Sequence, residues 1–360
     1  MDYLRWDETI FKNPEVFDAS YLPDMLLHRE MQLNQLTSSL KPAIAGSQPI
    51  NSLCLCSPAT GKTSAVRLIF KQLEEFGVVT CHINCQIINT KHQVWTKIFE
   101  IVANFQPPSG ISFLKLYLAT LKRLSKPLVV CLDDLDYLDV KTLNETIYSI
   151  LKAYETVDVK IGLIGITTDF QVLSKLDALT GSIFHANEIY FPLYTKKETK
   201  NILKRRVEAG LYNGVLDDEA FNLIVDLTHN SKDLRLGLYL LKMSGIEAER
   251  KAKKKIDVEE VEKAYEGGKS LFLDKSLSAL NRMEIEVLKA IYIKDNITSG
   301  ELFEHFKKRI SYRIFYDILN KLERIRLIDL KMEHSKGKTQ RIFKKYDKDI
   351  MLDALERVSS

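Results

Sequence analysis

Cys56-Ser57-Pro58-Ala59-Thr60-Gly61-Lys62-Thr63 lies between an apolar strand pattern at 52–56 and a helical pattern at 62–75. The spacing follows G-x-x-x-x-G-K-[ST], except that Cys56 stands where the first glycine is expected. Such a loop turns backbone N–H groups toward phosphate and aims a helix N-terminus at it. It also adds a lysine for the β/γ-phosphates and a hydroxyl for Mg2+. Ser57, Pro58, Ala59, Thr60, Gly61, Lys62, Thr63 and Ser64 are therefore candidate nucleotide-binding residues, with Thr63 a metal ligand. Losing the first glycine narrows the conformations open to the loop. A purely structural loop is the alternative, and the strand–loop–helix context argues against it.

About 70 residues downstream, Leu128-Val129-Val130-Cys131-Leu132-Asp133-Asp134 reads as an apolar strand ending in two acids. We expect it to lie beside the strand that carries the loop. Asp133 is placed to hold Mg2+, and Asp134 to polarise an attacking water, where a glutamate is usual. Aspartate is one methylene shorter, so turnover is expected to be slow. Residues 161–166 form another apolar strand, and Thr168 at its tip is a candidate γ-phosphate sensor. Arg235, at the start of a helical pattern over 232–251, is a candidate phosphate clamp that would couple domain angle to ligand. An arginine on a helix is more commonly just solvated.

Working outward, short apolar strands at 52–56, 78–84, 128–132, 160–167 and 188–191 alternate with helical patterns at 62–75, 93–104, 111–124 and 141–154. That alternation predicts an α/β domain with a parallel sheet covered on both faces. A helical pattern at 25–40 precedes it, and residues 1–20 read as an extension. From 196 the patterns are helical only, at 197–209, 217–228, 232–251 and 257–266, and Gly267-Gly268 reads as punctuation. We expect an α/β domain over 21–195, a helical domain over 196–268 and a third unit over 269–360.

The third unit reads as helices at 276–279, 284–292, 298–307 and 312–324, then two strands, 328–333 and 340–346, joined by a polar turn. Three helices and a basic hairpin are a winged-helix layout. Across 305–345 thirteen Lys/Arg face four acids, whereas the whole chain of 360 residues carries only +4. This basic patch points to nucleic acid. Tyr312, Arg313, Tyr316, Asn320 and Arg324 share one face of the 312–324 helix, leaving Ile314, Phe315, Ile318, Leu319 and Leu322 for the core. Lys336, Gly337, Lys338 and Arg341 form the wing. A helix for the major groove and a cationic wing for adjacent phosphates is the expected division. The run 250–255 carries five cations and reads as a solvated helix end.

Composition excludes several classes. At 45% hydrophobic and 28% charged the chain is ordinary globular protein. No apolar run approaches a membrane span, and the N-terminus lacks a secretory pattern, so a cytoplasmic, nucleoid-associated protein without membrane partners is expected. Five cysteines in strand-like segments read as buried free thiols. Zinc binding by Cys81, His82 and Cys85 lacks a fourth ligand.

In this order, phosphate loop, acidic strand end, helical lid and winged helix resemble the archaeal origin-recognition (ORC/CDC-type) family of AAA+ replication initiators. The resemblance covers the chain from about residue 16. Tyr21-Leu22-Pro23-Asp24 with His28-Arg29-Glu30 is similar to the family's N-terminal box near the adenine. Asn84-Cys85-Gln86, Glu188–Tyr194 and Asp233-Leu234-Arg235 resemble its post-strand, lid-entry and sensor-2 elements. The resemblance implies ATP/ADP with Mg2+ and nucleotide contacts from Tyr194 and Arg206. It implies a second DNA contact from an inserted helix at 106–116, through Pro108 and Gly110. It also implies double-stranded origin DNA, the replicative helicase (MCM) and other initiator subunits as partners. Two positions depart: Thr168 replaces the sensor asparagine, and Asp177-Ala178-Leu179 lacks the arginine finger. Two further readings stand beside the initiator: a winged-helix transcription regulator paralogue, and a working ATPase motor or clamp-loader subunit.

Overall fold

The computed structural model describes residues 9–156, 160–277, 280–294, 297–325, 327–333, 339–346 and 348–359. They form two compact units: one of residues 11–213 with 224–238, the other of the described residues up to 10 with 214–223 and 239–360.

In the first unit α1 (Glu30–Leu40) precedes β1 (Asn51–Leu55), α2 (Lys62–Glu75) and β2 (Val79–Asn84). Then come α3 (Lys91–Ala103), α4 (Phe113–Arg123), β3 (Leu128–Asp133), α5 (Val140–Leu151), β4 (Ile161–Thr167), α6 (Ala178–Ile183), β5 (Ala186–Tyr190) and α7 (Lys196–Gly210). The five strands pair in parallel in the order β2-β3-β4-β1-β5. Strand alternation sends Leu53, Leu55, Val130 and Leu132 to a core with α3, α4 and α5, and Cys54, Val129, Cys131 and Ile166 to a core with α1 and α2. The result is a three-layer α/β sandwich.

The acidic strand does not lie beside the loop strand, as expected from sequence: β4 separates β3 from β1. Gly165 makes room for it, because a Cβ there would sit 2.7 Å from Leu135 and 2.8 Å from Leu53. Helix α1 starts at Glu30 rather than 25. Residues 11–17 are no loose extension. Val16 and Phe17 are buried in a 3-10 turn, and Lys12 N–H donates to Gly210 O at 2.8 Å. Gly210 is small for this reason, since a Cβ would lie 2.3 Å from the Phe17 ring.

Helices α8 (Asp218–Ser231) and α9 (Leu234–Arg250) contain the dividing lines between the units. The second unit continues with α10 (Val258–Leu277), α11 (Arg282–Ile293), α12 (Ser299–Phe306), α13 (Tyr312–Arg324), β6 (Ile328–Glu333), β7 (Thr339–Lys344) and α14 (Lys348–Ser359). α11–α13 and the antiparallel β6–β7 hairpin make a winged helix. Its core holds Leu288, Phe315, Leu319 and Ile342, closed by Leu273 and Leu277 of α10 and by Met351 and Leu355 of α14. Helix α14 had no counterpart in the sequence reading. Gly267-Gly268 lies inside α10 and does not break it. The 250–255 run is not merely solvated: Lys251 and Lys253 both donate to the buried Glu260, each at 2.9 Å. Burial alone would raise the Glu260 carboxyl, but these bonds prevail and hold it at about 2.

Candidate nucleotide and nucleic-acid sites

The loop between β1 and α2 owes its shape to backbone that L-residues avoid. Ala59 and Gly61 have φ of +60° and +90°, and Cys56 adopts +156°, a region glycine populates. Thr60 Oγ1 donates to Ser57 O at 3.0 Å and braces the turn. The Lys62 ammonium is buried and donates to Cys56 O (2.7 Å) and Ser57 O (2.8 Å). Burial lowers its pKa, and the surrounding thiol and aspartates pull the other way. Ser57, Pro58, Ser64 and the rest of the candidate set lie together on this loop and the first turn of α2.

The β3 carboxylates meet the loop. Thr63 Oγ1 donates to Asp133 Oδ2 at 2.8 Å, and the same oxygen lies 3.0 Å from His82 Nε2 on β2. Hydroxyl and carboxylate oxygens side by side are the hard donors Mg2+ takes, so the pair fits such an ion. Asp134 has φ +58°, and its Oδ2 accepts from Gln86 Nε2 at 2.8 Å. Burial first, then the charges of Asp133 and Asp136, raise its pKa. Thr168 is engaged by Asp136, which accepts its N–H at 3.0 Å and its hydroxyl.

Tyr194 reaches the loop from the β5–α7 connector, its hydroxyl 2.9 Å from where a Gly61 Cβ would be. Ala59, Tyr194, Thr228, His229, Lys232 and Asp233 line a small open cleft. Arg235 is in a two-point ion pair with Asp233, Nε to Oδ1 at 3.0 Å and Nη2 to Oδ2 at 2.7 Å. Arg206 donates to Val16 O at 2.9 Å and lies 4.9 Å over the Tyr21 ring. These two arginines are therefore held by protein partners of their own.

On α13, Tyr312, Arg313 and Asn320 are exposed. Two residues of this helix differ from the sequence expectation. Ile314, assigned to the core, is 51% exposed. Tyr316, assigned to the outer face, turns toward α12 and pairs with Ser299 Oγ at 3.0 Å. Phe315, Ile318, Leu319 and Leu322 are buried as assigned, Phe315 against Phe303 and Phe306 of α12, so only the edges of the buried face differ. Arg341 stands on β7 opposite Lys331 and bridges to Thr298. Lys336, Gly337 and Lys338 lie outside the described residues. Pro108 and Gly110 are exposed, but residues 106–112 form a loop and not the expected helix, with Gly110 at φ +74° and α4 starting at Phe113. Two prolines and a left-handed glycine explain the loop.

A family profile described as "Cdc6 AAA+ ATPase-type lid domain" matches residues 200–266. The ORC1-type DNA replication protein 2 of Archaeoglobus fulgidus is 42% identical over 360 residues, covering 99% of this chain and 96% of the relative. The protein of the same name from Methanosarcina mazei is 40% identical, covering 99% of each. The chain belongs to the ORC1-type DNA replication protein family. Among solved structures, the Aeropyrum pernix ORC1 protein in complex with DNA matches 98% of each chain, with a TM-score of 0.74 and 26% identity. Cdc6p from Pyrobaculum aerophilum shares the fold, with a TM-score of 0.65 over 97% of this chain and 98% of its own at 22% identity. Membership in the ORC1-type family places the chain among DNA replication initiators of the AAA+ fold. Among the described residues no helix is long and apolar enough to cross a membrane.

Three polar partners in this ORC1-type site escaped the sequence reading: His82 on Asp133, Gln86 on Asp134 and Asp136 on Thr168. Each pairing joins residues 32 to 51 positions apart, on or just beyond different strands. Only Gln86 carried a signal, through its place in the post-strand motif.

Proposed function

We propose that this chain is a nucleotide-bound replication initiator that binds double-stranded origin DNA and hydrolyses ATP slowly or not at all. The observation that carries the nucleotide reading is the 2.8 Å bond joining Thr63 of the loop to Asp133 at the end of β3. In this reading the N–H groups of residues 59–63 and the Lys62 ammonium bind the phosphates of ATP or ADP. Thr63 and Asp133 hold Mg2+, which supplies neutralising charge there. Tyr194, Arg206 and Arg235 contribute from the lid side, the last two after exchanging Val16 and Asp233 for ligand, and Thr168 senses the terminal phosphate. Slow hydrolysis is supported by three features: the short Asp134 side chain held by Gln86, Cys56 in place of glycine, and exposed Leu179 where the family carries an arginine finger.

DNA contact is assigned to Tyr312, Arg313, Lys336, Gly337, Lys338 and Arg341 of the winged helix and to Pro108 and Gly110 of the α3–α4 loop, with Tyr316 supporting from within. The Aeropyrum relative's DNA complex supports this reading. The functional division is 21–195, 196–268 and 269–360, after an N-terminal segment, 1–20. Recruitment of the replicative helicase and of other initiator subunits, and a place on the nucleoid, belong to the same proposal and are supported only by the family resemblance.

Titration calorimetry with ADP and Mg2+ tests the nucleotide site. Lys62→Ala should weaken binding by about 30-fold or more, the loss of ~2 kcal/mol from a charge-assisted bond. Unchanged affinity would undo the assignment. The degenerate catalytic positions also favour a regulator paralogue. A genomic footprint at promoters without helicase retention would select it over the initiator.

A further inference from the structure

Arg29 is 1% exposed, and only Trp95 is larger among the fully buried side chains described. A buried charge usually demands a counter-ion. Among the described residues this guanidinium forms no ion pair. It donates instead from Nε to Thr60 O (2.9 Å), from Nη1 to His28 O (2.6 Å) and from Nη2 to Pro192 O (2.6 Å). Its face lies 3.6 Å over the Tyr194 ring. One planar group thus joins three chain segments: the entry to α1, the phosphate loop and the connector from β5 to α7.

The Thr60 bond has a geometric consequence. In a trans peptide the C=O and the following N–H point in opposite directions. Drawing Thr60 O inward onto Arg29 therefore turns the Gly61 N–H outward, the way a phosphate-binding loop needs it. The same fork holds Pro192 O, three residues before Thr195, the N-cap of α7. Movement of the loop on ligand binding cannot leave that connector unaffected while the fork is intact. A lysine could keep the charge but not three divergent planar bonds.

We propose that Arg29 is a positioning residue: it orients the Thr60–Gly61 peptide for phosphate and transmits occupancy of the loop to the β5–α7 connector at the start of the lid. This rests on the nucleotide reading above.

Hydrogen exchange with and without ADP and Mg2+, read at 57–63 and at 193–199, tests it together with ADP affinity. In the unmodified chain ADP should slow exchange in both segments. In Arg29→Lys, ADP affinity should fall by about tenfold or more, as for removal of one charge-assisted donor. At saturating ADP, protection should persist at 57–63 and vanish at 193–199. Arg29→Gln, which keeps one donor without a buried charge, should behave the same way. A merely structural role would lower the melting temperature of the ADP-free variants yet leave ADP affinity and protection at 193–199 intact, and that result overturns the proposal. Even if both variants fail to fold, the unmodified chain can still refute the proposal. Protection at 57–63 without protection at 193–199 overturns the coupling alone. No protection at either segment refutes the nucleotide reading itself.

Discussion

Gly61 shows how much of the candidate site is decided by single residues. Its φ of +90° is one that a side chain makes costly, and the space a Cβ would need is taken by the Tyr194 hydroxyl at 2.9 Å. Gly61→Ala should therefore destabilise the chain by about 1–2 kcal/mol. It should also weaken ADP binding by roughly tenfold or more. Thermal unfolding and calorimetry measure the two effects, and an unchanged affinity would mean that this loop does not contact phosphate. Gly61, Lys62, Thr63 and Asp133 were legible in the sequence because their spacing reflects local backbone and one strand end. Cys56 was legible only as a departure; its glycine-like φ of +156° is a property of the folded loop. The bonds of His82 and Asp136 could not be read, and Gln86 was marked only by its motif, since these pairings depend on which strands become neighbours.

At the scale of elements, α10 is the instructive case. Two adjacent glycines lower helix propensity by roughly 1 kcal/mol each, which is why they read as a break. Tertiary packing overrides that preference. A Cβ at Gly268 would stand 2.6 Å from the Tyr239 ring, so the glycine lets the α9 ring approach, and Leu273 and Leu277 anchor the far end of the helix in the winged-helix core. Gly267 faces open space. Gly267→Ala should accordingly stabilise the chain by up to about 1 kcal/mol, and Gly268→Ala should destabilise it by about 1–3 kcal/mol. Chemical denaturation of the two variants checks the opposite signs. The loop at 106–112 shows the converse: local chemistry prevails where prolines and a left-handed glycine meet no packing that would force a helix.

For the whole molecule, charge distribution says more than net charge. Residues 305–345 carry +9 while the rest of the chain is net −5, and they lie on the unit that also presents Tyr312 and Arg313 to solvent. Binding through that region should be salt-dependent in proportion to the phosphates neutralised. Replacing Lys336 and Lys338 together with alanine should lower the slope of log affinity against log salt by roughly 2, at ~0.9 for each phosphate no longer neutralised. Affinity should fall about equally on specific and unrelated duplexes. Fluorescence anisotropy over a salt series makes the measurement, and an unchanged slope would remove the wing from the interface.

The sequence by itself determined the parallel α/β class, the phosphate loop with its acidic partner strand, the helical segment and the basic winged helix. Each of these rests on periodicity or on spacing along the chain, and such patterns survive without tertiary context. Only the tertiary structure decided that β4 separates the loop strand from β3, and that Tyr316 rather than Ile314 turns inward. It alone showed α10 running unbroken through two glycines and Arg29 tying three segments together. Those outcomes depend on which surfaces pack against one another, and packing energy outweighs the local preferences that a sequence displays.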